Sequence, residues 1–176
     1  MEFSLGGARD TLQVDVGIGD VMEPCALSID IPSELGFPTI RMPAYAKELV
    51  VAEKLEAMVT LGIRNSRMKD FYDIRDLSRK FEFDGAQLAR SIRATFLRRQ
   101  TIVPTDAPLA LTRDFSSERT KQQQWIGFLR KGNIATSDDN LESTIDELSL
   151  FLMPPLKAVS LDVAFSLFWT PKNGWI

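Results

Sequence analysis

A lysine and a pair of aspartates on two neighbouring predicted helices are the residues of this chain that are most suited to chemistry. Lys54 lies in the first helix, and Asp70 and Asp73 lie one turn apart near the start of the second. The short turn IRNSR predicts an antiparallel helix pair that brings the lysine towards both aspartates. The carboxylates could hold the ammonium group ready for a phosphate, or the three residues could be salt bridges that only join the helices.

A third carboxylate lies in the stretch LQVDVGIGD at residues 12–20. The apolar residues of this stretch alternate and share one face of a predicted strand, whereas Asp15 shares the other face with Gly17 and Gly19. The glycines leave the backbone open to close approach, so Asp15 is a candidate metal ligand or general base. The alternative is an edge strand on which Asp15 is simply solvated.

The composition excludes several kinds of catalytic site. The chain contains no histidine, which rules out Ser/His triads, histidine-ligated zinc and histidine general bases. Cys25 is the only cysteine, so no intrachain disulfide can form. Acid, base or metal chemistry must therefore use Asp, Glu, Lys or Arg.

The charge is unevenly distributed, although the net charge is only -3. Residues 61–100 contain ten basic and five acidic side chains. This region could bind a polyanion such as a nucleotide or RNA, or it could consist of ordinary solvated helix faces. No apolar segment reaches the roughly 18 to 20 residues of a membrane span, and we predict no membrane association and a cytoplasmic location.

Periodicity predicts an α+β fold in which strands come first and helices follow. We expect a small β part at 1–43, a helical domain at 44–159 and an aromatic tail at 160–176. The tail FSLFWTPKNGWI must pack on another part of the protein or remain exposed. Extended segments are expected near ALSIDIP and FPTIRMP, and helices in AKELVVAEKLEAMVTLG, MKDFYDIRDLSRKF, a segment starting at FDGAQLA, SSERTKQQQWIGFLRK and DDNLESTIDELSLFLM.

Capping residues and prolines predict where the helices begin and end. Pro154 and Pro155 are expected to end the fifth helix, because proline disfavours a helical conformation in the residue before it. Gly132 is expected to stop the fourth helix. The predicted N-caps of the second, third and fourth helices are Ser66, Asp84, and either Ser116 or Ser117.

The run VVAEKLEAMVTLGIRNSRMKDFYDI resembles the AbiEii/AbiGii toxin family of nucleotidyltransferases. QVDVGIGD before it, and FDGAQLARSIRATFLRR and QQQWIGFLR after it, extend the resemblance from about residue 10 to the aromatic tail. Its most specific part is EKLEAM followed by NSRMKDFYD. The resemblance implies a polymerase-beta-type nucleotidyltransferase with a helical C-terminal half. Such proteins act as toxins of toxin-antitoxin systems, including abortive infection systems.

The resemblance also implies roles for individual residues. Asp15 matches the family's strand carboxylate, which binds metal. Lys54 matches a helix lysine placed to meet the nucleoside triphosphate. Asp70 and Asp73 match a KDxxD motif that supports the active site.

Lys69 is the first residue of that motif, and Arg67 lies two residues before it; both are expected to contact the nucleotide or the RNA. In its complete form the enzyme is expected to transfer nucleotides from NTP to RNA, notably tRNA, and to have a cognate antitoxin. Mg²⁺ is the expected cofactor, because Mg²⁺ binds through carboxylates combined with substrate phosphates.

One motif of the family is missing from the sequence. The first family motif is a GG or GS turn followed by a DxD pair, and no DxD pair follows Gly6 and Gly7. We therefore expect the sequence to begin inside the catalytic domain, with a partial nucleotidyltransferase sheet at 1–43, and the chain to be catalytically incomplete. An exposed sheet edge there would favour self-association. The alternative function is a truncated, non-catalytic helical module that binds a partner protein or RNA.

Overall fold

The computed structural model of the protein describes residues 2–5, 7–11, 27–33, 36–134 and 140–176 and has an α+β fold. The predicted fold class is therefore confirmed. In the described residues the strands form small antiparallel sheets, and no helix there combines the length and apolar character needed to cross a membrane. The strands are β1 (Glu2–Leu5), β2 (Ala8–Thr11), β3 (Leu27–Ile31), β4 (Ile40–Ala44), β5 (Phe83–Asp84), β6 (Phe168–Thr170) and β7 (Gly174–Trp175). The helices are α1 (Lys47–Leu61), α2 (Met68–Lys80), α3 (Gly85–Arg98), α4 (Arg113–Ser117), α5 (Arg119–Lys131) and α6 (Leu141–Ser160).

The hairpin of β3 and β4 confirms the two extended segments that the sequence predicted. The strands pair antiparallel, with Ile29 opposite Met42 and Asp30 opposite Arg41. Because side chains alternate along a strand, one face of the hairpin is apolar and the other carries the Asp30–Arg41 ion pair. The exposed large residues of the apolar face are Leu27, Ile29, Ile31, Ile40 and Met42. The predicted strand LQVDVGIGD lies outside the described residues.

Helices α1, α2, α3 and α6 supply most of the buried core. The apolar residues of the first three helices recur at helical spacing and point into it. Phe81, which follows the end of α2, is exposed, whereas Phe83 of β5 is buried. Buried core residues on the four helices include Val51, Leu55, Met58, Phe71, Ile74, Leu88, Ile92, Phe96, Leu148, Phe151 and Leu152.

The cap of α3 was predicted correctly, whereas the cap of α2 was not. The Asp84 carboxylate accepts a hydrogen bond from the Gln87 backbone N–H at 3.1 Å. Helix α2 begins after Arg67 rather than after Ser66. The side chain that bonds to the start of α2 is that of Asn65, whose Oδ1 accepts from the Arg67 backbone N–H at 2.9 Å. An amide one residue before the predicted cap thus organises the turn.

The predicted fourth helix is divided into α4 and α5, so Ser116 and Ser117 are not its caps. The division occurs at Glu118, whose backbone is extended. The Glu118 carboxylate accepts from the Lys121 backbone N–H at 2.9 Å and caps α5. Gly132 follows the last residue of α5, as predicted. A glutamate is a less common cap than serine, which explains why the sequence pattern favoured the serines.

The prediction that Pro154 and Pro155 end the last helix is wrong, because α6 continues through both prolines. Proline has no N–H, so Pro155 cannot donate to the carbonyl of Phe151 four residues earlier. That carbonyl accepts instead from the indole Nε1 of Trp175 at 3.0 Å. A donor from the C-terminal strand therefore replaces a missing helix hydrogen bond.

The aromatic tail packs on the helices, which is the first of the two alternatives that the sequence left open. The indole Nε1 of Trp169 donates to the carbonyl of Ser78 in the last turn of α2 at 2.7 Å. Strand β6 pairs with both β5 and β7. Gly85 permits the close approach, because its N–H donates to Leu167 O at 2.9 Å and a Cβ there would lie 2.4 Å from that oxygen.

We expect Trp175→Phe to lower the free energy of unfolding by about 1 to 3 kcal/mol, because the buried Phe151 carbonyl loses its donor. In a Pro155→Ala background the new backbone N–H can bond to the same carbonyl. The cost of Trp175→Phe should then fall by about 1 kcal/mol. Urea unfolding of the two single variants, the double variant and the wild type measures this coupling. Strictly additive effects would contradict the role assigned to the indole.

Candidate functional site

Lys54 lies between two carboxylates of α2. Its Nζ donates to Asp70 Oδ1 at 2.5 Å and to Asp73 Oδ2 at 2.9 Å. The connection between α1 and α2 begins with a 3-10 turn at Gly62–Arg64. The proximity that the short turn predicted is confirmed, whereas the catalytic and binding roles of these residues stay predictions.

The segment before α2 is held by buried polar groups. Asn65 is fully buried, and its backbone carbonyl accepts from Nζ of Lys121 at 2.9 Å. Lys121 comes from α5, is itself buried, and lies 5.4 Å from the ring centroid of Phe115. A cation from a distant helix therefore fixes the turn that orients Arg67 and Asp70.

The other two predicted binding residues, Arg67 and Lys69, surround the same carboxylates. Lys69 Nζ donates to Asp73 Oδ2 at 2.6 Å, and Arg67 Nε lies 3.4 Å from Asp70 Oδ2. The Lys69 and Arg67 side chains are 72% and 61% exposed, whereas that of Asp70 is only 10% exposed. With Lys54 included, cations outnumber carboxylates by one in this cluster. Such a surplus favours an anionic ligand.

A cavity of about 300 Å³ opens beside this cluster. A volume of this size is at the lower end of the range for small-molecule sites. Asp70 Oδ2 is buried there without a hydrogen-bond partner among the described residues, since its contact with Arg67 is an ion pair outside hydrogen-bond geometry. A buried acceptor without a hydrogen-bond partner is uncommon in folded proteins. The cavity is lined by the charged residues Glu53, Lys54, Arg67, Asp70 and Arg99 and by Tyr45, Leu49 and Val50.

The local environment keeps Lys54 protonated. Burial by itself would lower the pKa of Lys54, because it disfavours the charged ammonium. The hydrogen bonds and the negative charges of Asp70 and Asp73 outweigh burial, so the pKa of Lys54 lies above its ordinary value. Lys54 is therefore suited to act as a fixed positive charge and not as a general base.

The carboxylates of the cluster are engaged by cations in the described part of the chain. Among the described residues, no group of three or more His, Cys, Asp or Glu side chains could hold a metal ion. Asp70 and Asp73 already accept from ammonium groups, which a metal would have to displace. Asp15, the predicted metal ligand, lies outside the described residues.

Sequence reasoning missed three polar residues that line the cavity: Glu53, Tyr45 and Arg99. Glu53 stands directly before Lys54 in EKLEAM, so the motif contained a signal for it. Arg99 follows the end of α3, and only the packing of α3 against α1 brings it to the cavity. No spacing rule within one helix could reveal that contact.

A cavity with surplus positive charge is suited to an anionic ligand. The family described as nucleotidyl transferase AbiEii toxin, type IV toxin-antitoxin system, matches residues 1–148. The chain therefore belongs to this family, and the resemblance carried by EKLEAM and NSRMKDFYD is confirmed. No curated protein and no solved structure matches the chain.

We expect Lys54 to titrate above the ordinary lysine pKa of about 10.4. Its ion pairs then stabilise the fold fully below about pH 10.4, and this stabilisation is lost as the pH rises through the higher folded-state pKa. NMR titration of the lysine side chains measures the value directly. Asp73→Asn should lower the pKa of Lys54, because one favourable charge is removed. Asp76→Asn is the matched control, since Asp76 pairs with Lys80; a wild-type Lys54 that titrates at or below 10.4 would contradict the geometry.

Proposed function

We propose that the cavity binds the phosphates of a nucleoside triphosphate and that the protein acts as a nucleotidyl transferase toxin on RNA. The observation that carries this proposal is the placement of the Lys54 ammonium, held by Asp70 and Asp73 at the edge of a cavity. Nucleotidyl transfer depends mainly on positioning and charge neutralisation at phosphate oxygens. A protonated lysine in a fixed position supplies both.

The residues of the cluster have separate tasks in this proposal. Lys54 contacts phosphate oxygens, and Asp70 and Asp73 hold its ammonium in place and keep it protonated. Arg67 adds a second cation at the cavity. Lys69 is the most exposed cation of the cluster and is suited to the RNA backbone, where phosphate contacts position the nucleic acid.

In the proposed reaction a hydroxyl of the RNA, expected to be a tRNA, attacks the α-phosphorus of the NTP. The new P–O bond forms as the bond to pyrophosphate breaks, and the hydroxyl proton passes to solvent. The residues of the cavity bind and orient the triphosphate during this step. We propose Mg²⁺ as the cofactor, with Asp15 as one of its ligands, because bound metal would supply charge neutralisation beyond that of the described cations.

The biological role follows from the family. Its toxins belong to type IV toxin-antitoxin systems, which suggests an antitoxin partner for this chain. We place the protein in the cytoplasm, where NTP and RNA are available. We further propose that these 176 residues do not complete the transfer alone, because the sequence contains no DxD pair of carboxylates.

We expect Lys54→Gln to weaken NTP binding about tenfold, because a charged donor to the phosphates is lost. Arg67→Gln should weaken it about threefold, since its more exposed charge is better screened. Calorimetric titration with each of the four NTPs measures both effects. Lys80→Gln is the matched control, because Lys80 also pairs with an aspartate, at 2.8 Å from Asp76 Oδ1, but does not line the cavity.

Two outcomes would change the proposal. If Lys54→Gln lowered the free energy of unfolding and left NTP binding intact, the cluster would be salt bridges that only join the helices. The wild-type chain incubated with tRNA, Mg²⁺ and radiolabelled NTP should give no labelled RNA. Labelled RNA that disappears with Asp15→Ala would show that the chain is catalytically complete.

A non-catalytic binding module is the second candidate, and the β3–β4 hairpin favours it. Its apolar face, centred on Ile29 and Met42, is exposed to solvent. A two-stranded hairpin is marginally stable alone, and uncovered apolar faces of this kind are typical of protein contacts. We propose that two copies of the chain associate through this hairpin and through its outer strand edges, which pair with no other described strand.

Light scattering at increasing concentration should therefore show a dimer. Ile29→Asp places a charge in the apolar face and should shift the protein to a monomer, because burying an unpaired carboxylate is unfavourable. Ser28→Asp introduces the same charge on the opposite face of β3 and should leave the dimer intact. A wild-type monomer at all concentrations would exclude this mode of association.

A further inference from the structure

We propose that Arg99 is a further phosphate-binding residue of the cavity and that Glu53 and Glu56 are the residues that position it. This inference rests on the proposed function, since it concerns the same ligand. It also gives a role to the two glutamates of EKLEAM, the motif from which only Lys54 was assigned a function.

Arg99 reaches the cavity from the end of α3. Its side chain is 41% exposed, and it lines the cavity together with Lys54. Nη1 donates to Glu56 Oε2 at 2.9 Å, and Nη2 donates to Glu53 Oε2. A guanidinium has five N–H donors, so it can hold both carboxylates and still donate to a ligand. Its planar fork also matches the geometry of a phosphate.

Glu56 is a fixed anchor for this guanidinium. Its side chain is 4% exposed, and its Oε1 accepts from Thr60 Oγ1 at 2.7 Å and from Thr101 Oγ1 at 2.6 Å. Its other oxygen is left for Arg99. Hydroxyl donors on one oxygen and a guanidinium on the other hold the carboxylate in a single orientation.

Glu53 is shared by two arginines. Arg98 Nη2 donates to Glu53 Oε1 at 2.5 Å, while Arg99 uses the other oxygen. Arg98 does not line the cavity. Arg98 therefore neutralises part of the charge of Glu53 from a position beyond the cavity, and Arg99 is not the sole partner of Glu53.

The backbone after α3 is shaped to present Arg99. Gln100 has a φ of 55°, a left-handed backbone conformation that residues other than glycine rarely adopt. The N–H of Thr101 donates to Phe96 O at 2.9 Å, and that of Gln100 donates to Leu97 O at 3.1 Å. These bonds form a Schellman motif, in which glycine is the usual left-handed residue. The Thr101 bond to Glu56 holds this strained turn against α1.

One turn of α1 therefore builds two sides of the cavity. Lys54 faces α2 and is held there by aspartates, while Glu53 and Glu56 face α3 and hold Arg99. The two cations approach the same space from different helices. A phosphate group between them would accept from an ammonium and from a guanidinium at once.

Calorimetric titration with inorganic triphosphate, and with each NTP, tests the assignment. Arg99→Gln should weaken binding about tenfold, and Arg99→Lys about threefold, because lysine keeps the charge but loses the fork. Arg98→Gln is the matched control: like Arg99→Gln it removes an ion pair to Glu53, and it should lower the melting temperature, although less than Arg99→Gln, which also removes the pair with Glu56. The effect of Arg98→Gln on the dissociation constant should be less than about twofold.

The role of Glu56 is tested by coupling. Glu56→Gln keeps the size and an acceptor oxygen but loses the charge, and it should weaken triphosphate binding about threefold. In an Arg99→Gln background it should have no further effect on binding, because its effect acts through Arg99. Glu53→Gln, at a more exposed site, repeats the test should Glu56→Gln fail to fold.

The outcomes separate this inference from the proposed function. If Lys54→Gln weakens triphosphate binding but Arg99→Gln does not, Arg99 is a structural residue and the inference is wrong. Equal losses of affinity in the Arg98 and Arg99 variants would also overturn it. If neither Lys54→Gln nor Arg99→Gln affects binding, the cavity is not a phosphate site and both proposals fail.

Discussion

The pairing of Lys54 with two carboxylates of α2 is the interaction on which the site depends. A half-buried ammonium is unfavourable by itself, and Asp70 and Asp73 reverse that effect. The pairing requires α1 and α2 to lie close enough for Lys54 to reach both aspartates. The short connection between the two helices holds them at that separation. Asn65 and the buried Lys121 then hold that connection in place. The position of one charge is thus linked to the packing of three helices.

The contacts that could be predicted from the sequence are those between neighbouring elements. Lys54 and the two aspartates belong to consecutive helices joined by a short turn, so helical spacing was enough to bring them together. Arg99 comes from a third helix, and its approach depends on how α3 packs on α1. Periodicity identifies which face of a helix is buried but not which helix covers it. Asp15 lies outside the described residues, and its place in the site stays a prediction.

The same distinction explains the errors in the fold. The helices α1 and α3 and the Asp84 cap follow local rules and were predicted correctly. The continuation of α6 through Pro155 was not, because the rule that proline ends a helix assumes that the freed carbonyl lacks another donor. Here Trp175 supplies one from the C-terminal tail. At Pro155 a tertiary hydrogen bond therefore outweighs the local tendency of proline to end a helix.

The charges on the two sides of α1 are balanced differently. Glu53 and Glu56 are matched by Arg98 and Arg99, whereas the cluster of Lys54 has one cation more than it has carboxylates. The surplus charge lies on the exposed side chains of Arg67 and Lys69, where an anion can approach it from solvent. A bound phosphate would neutralise the surplus. A triphosphate carries several negative charges, more than this surplus can balance, so further cationic charge must accompany it. That requirement is the physical reason why a metal ligand such as Asp15 has a place in the proposed reaction.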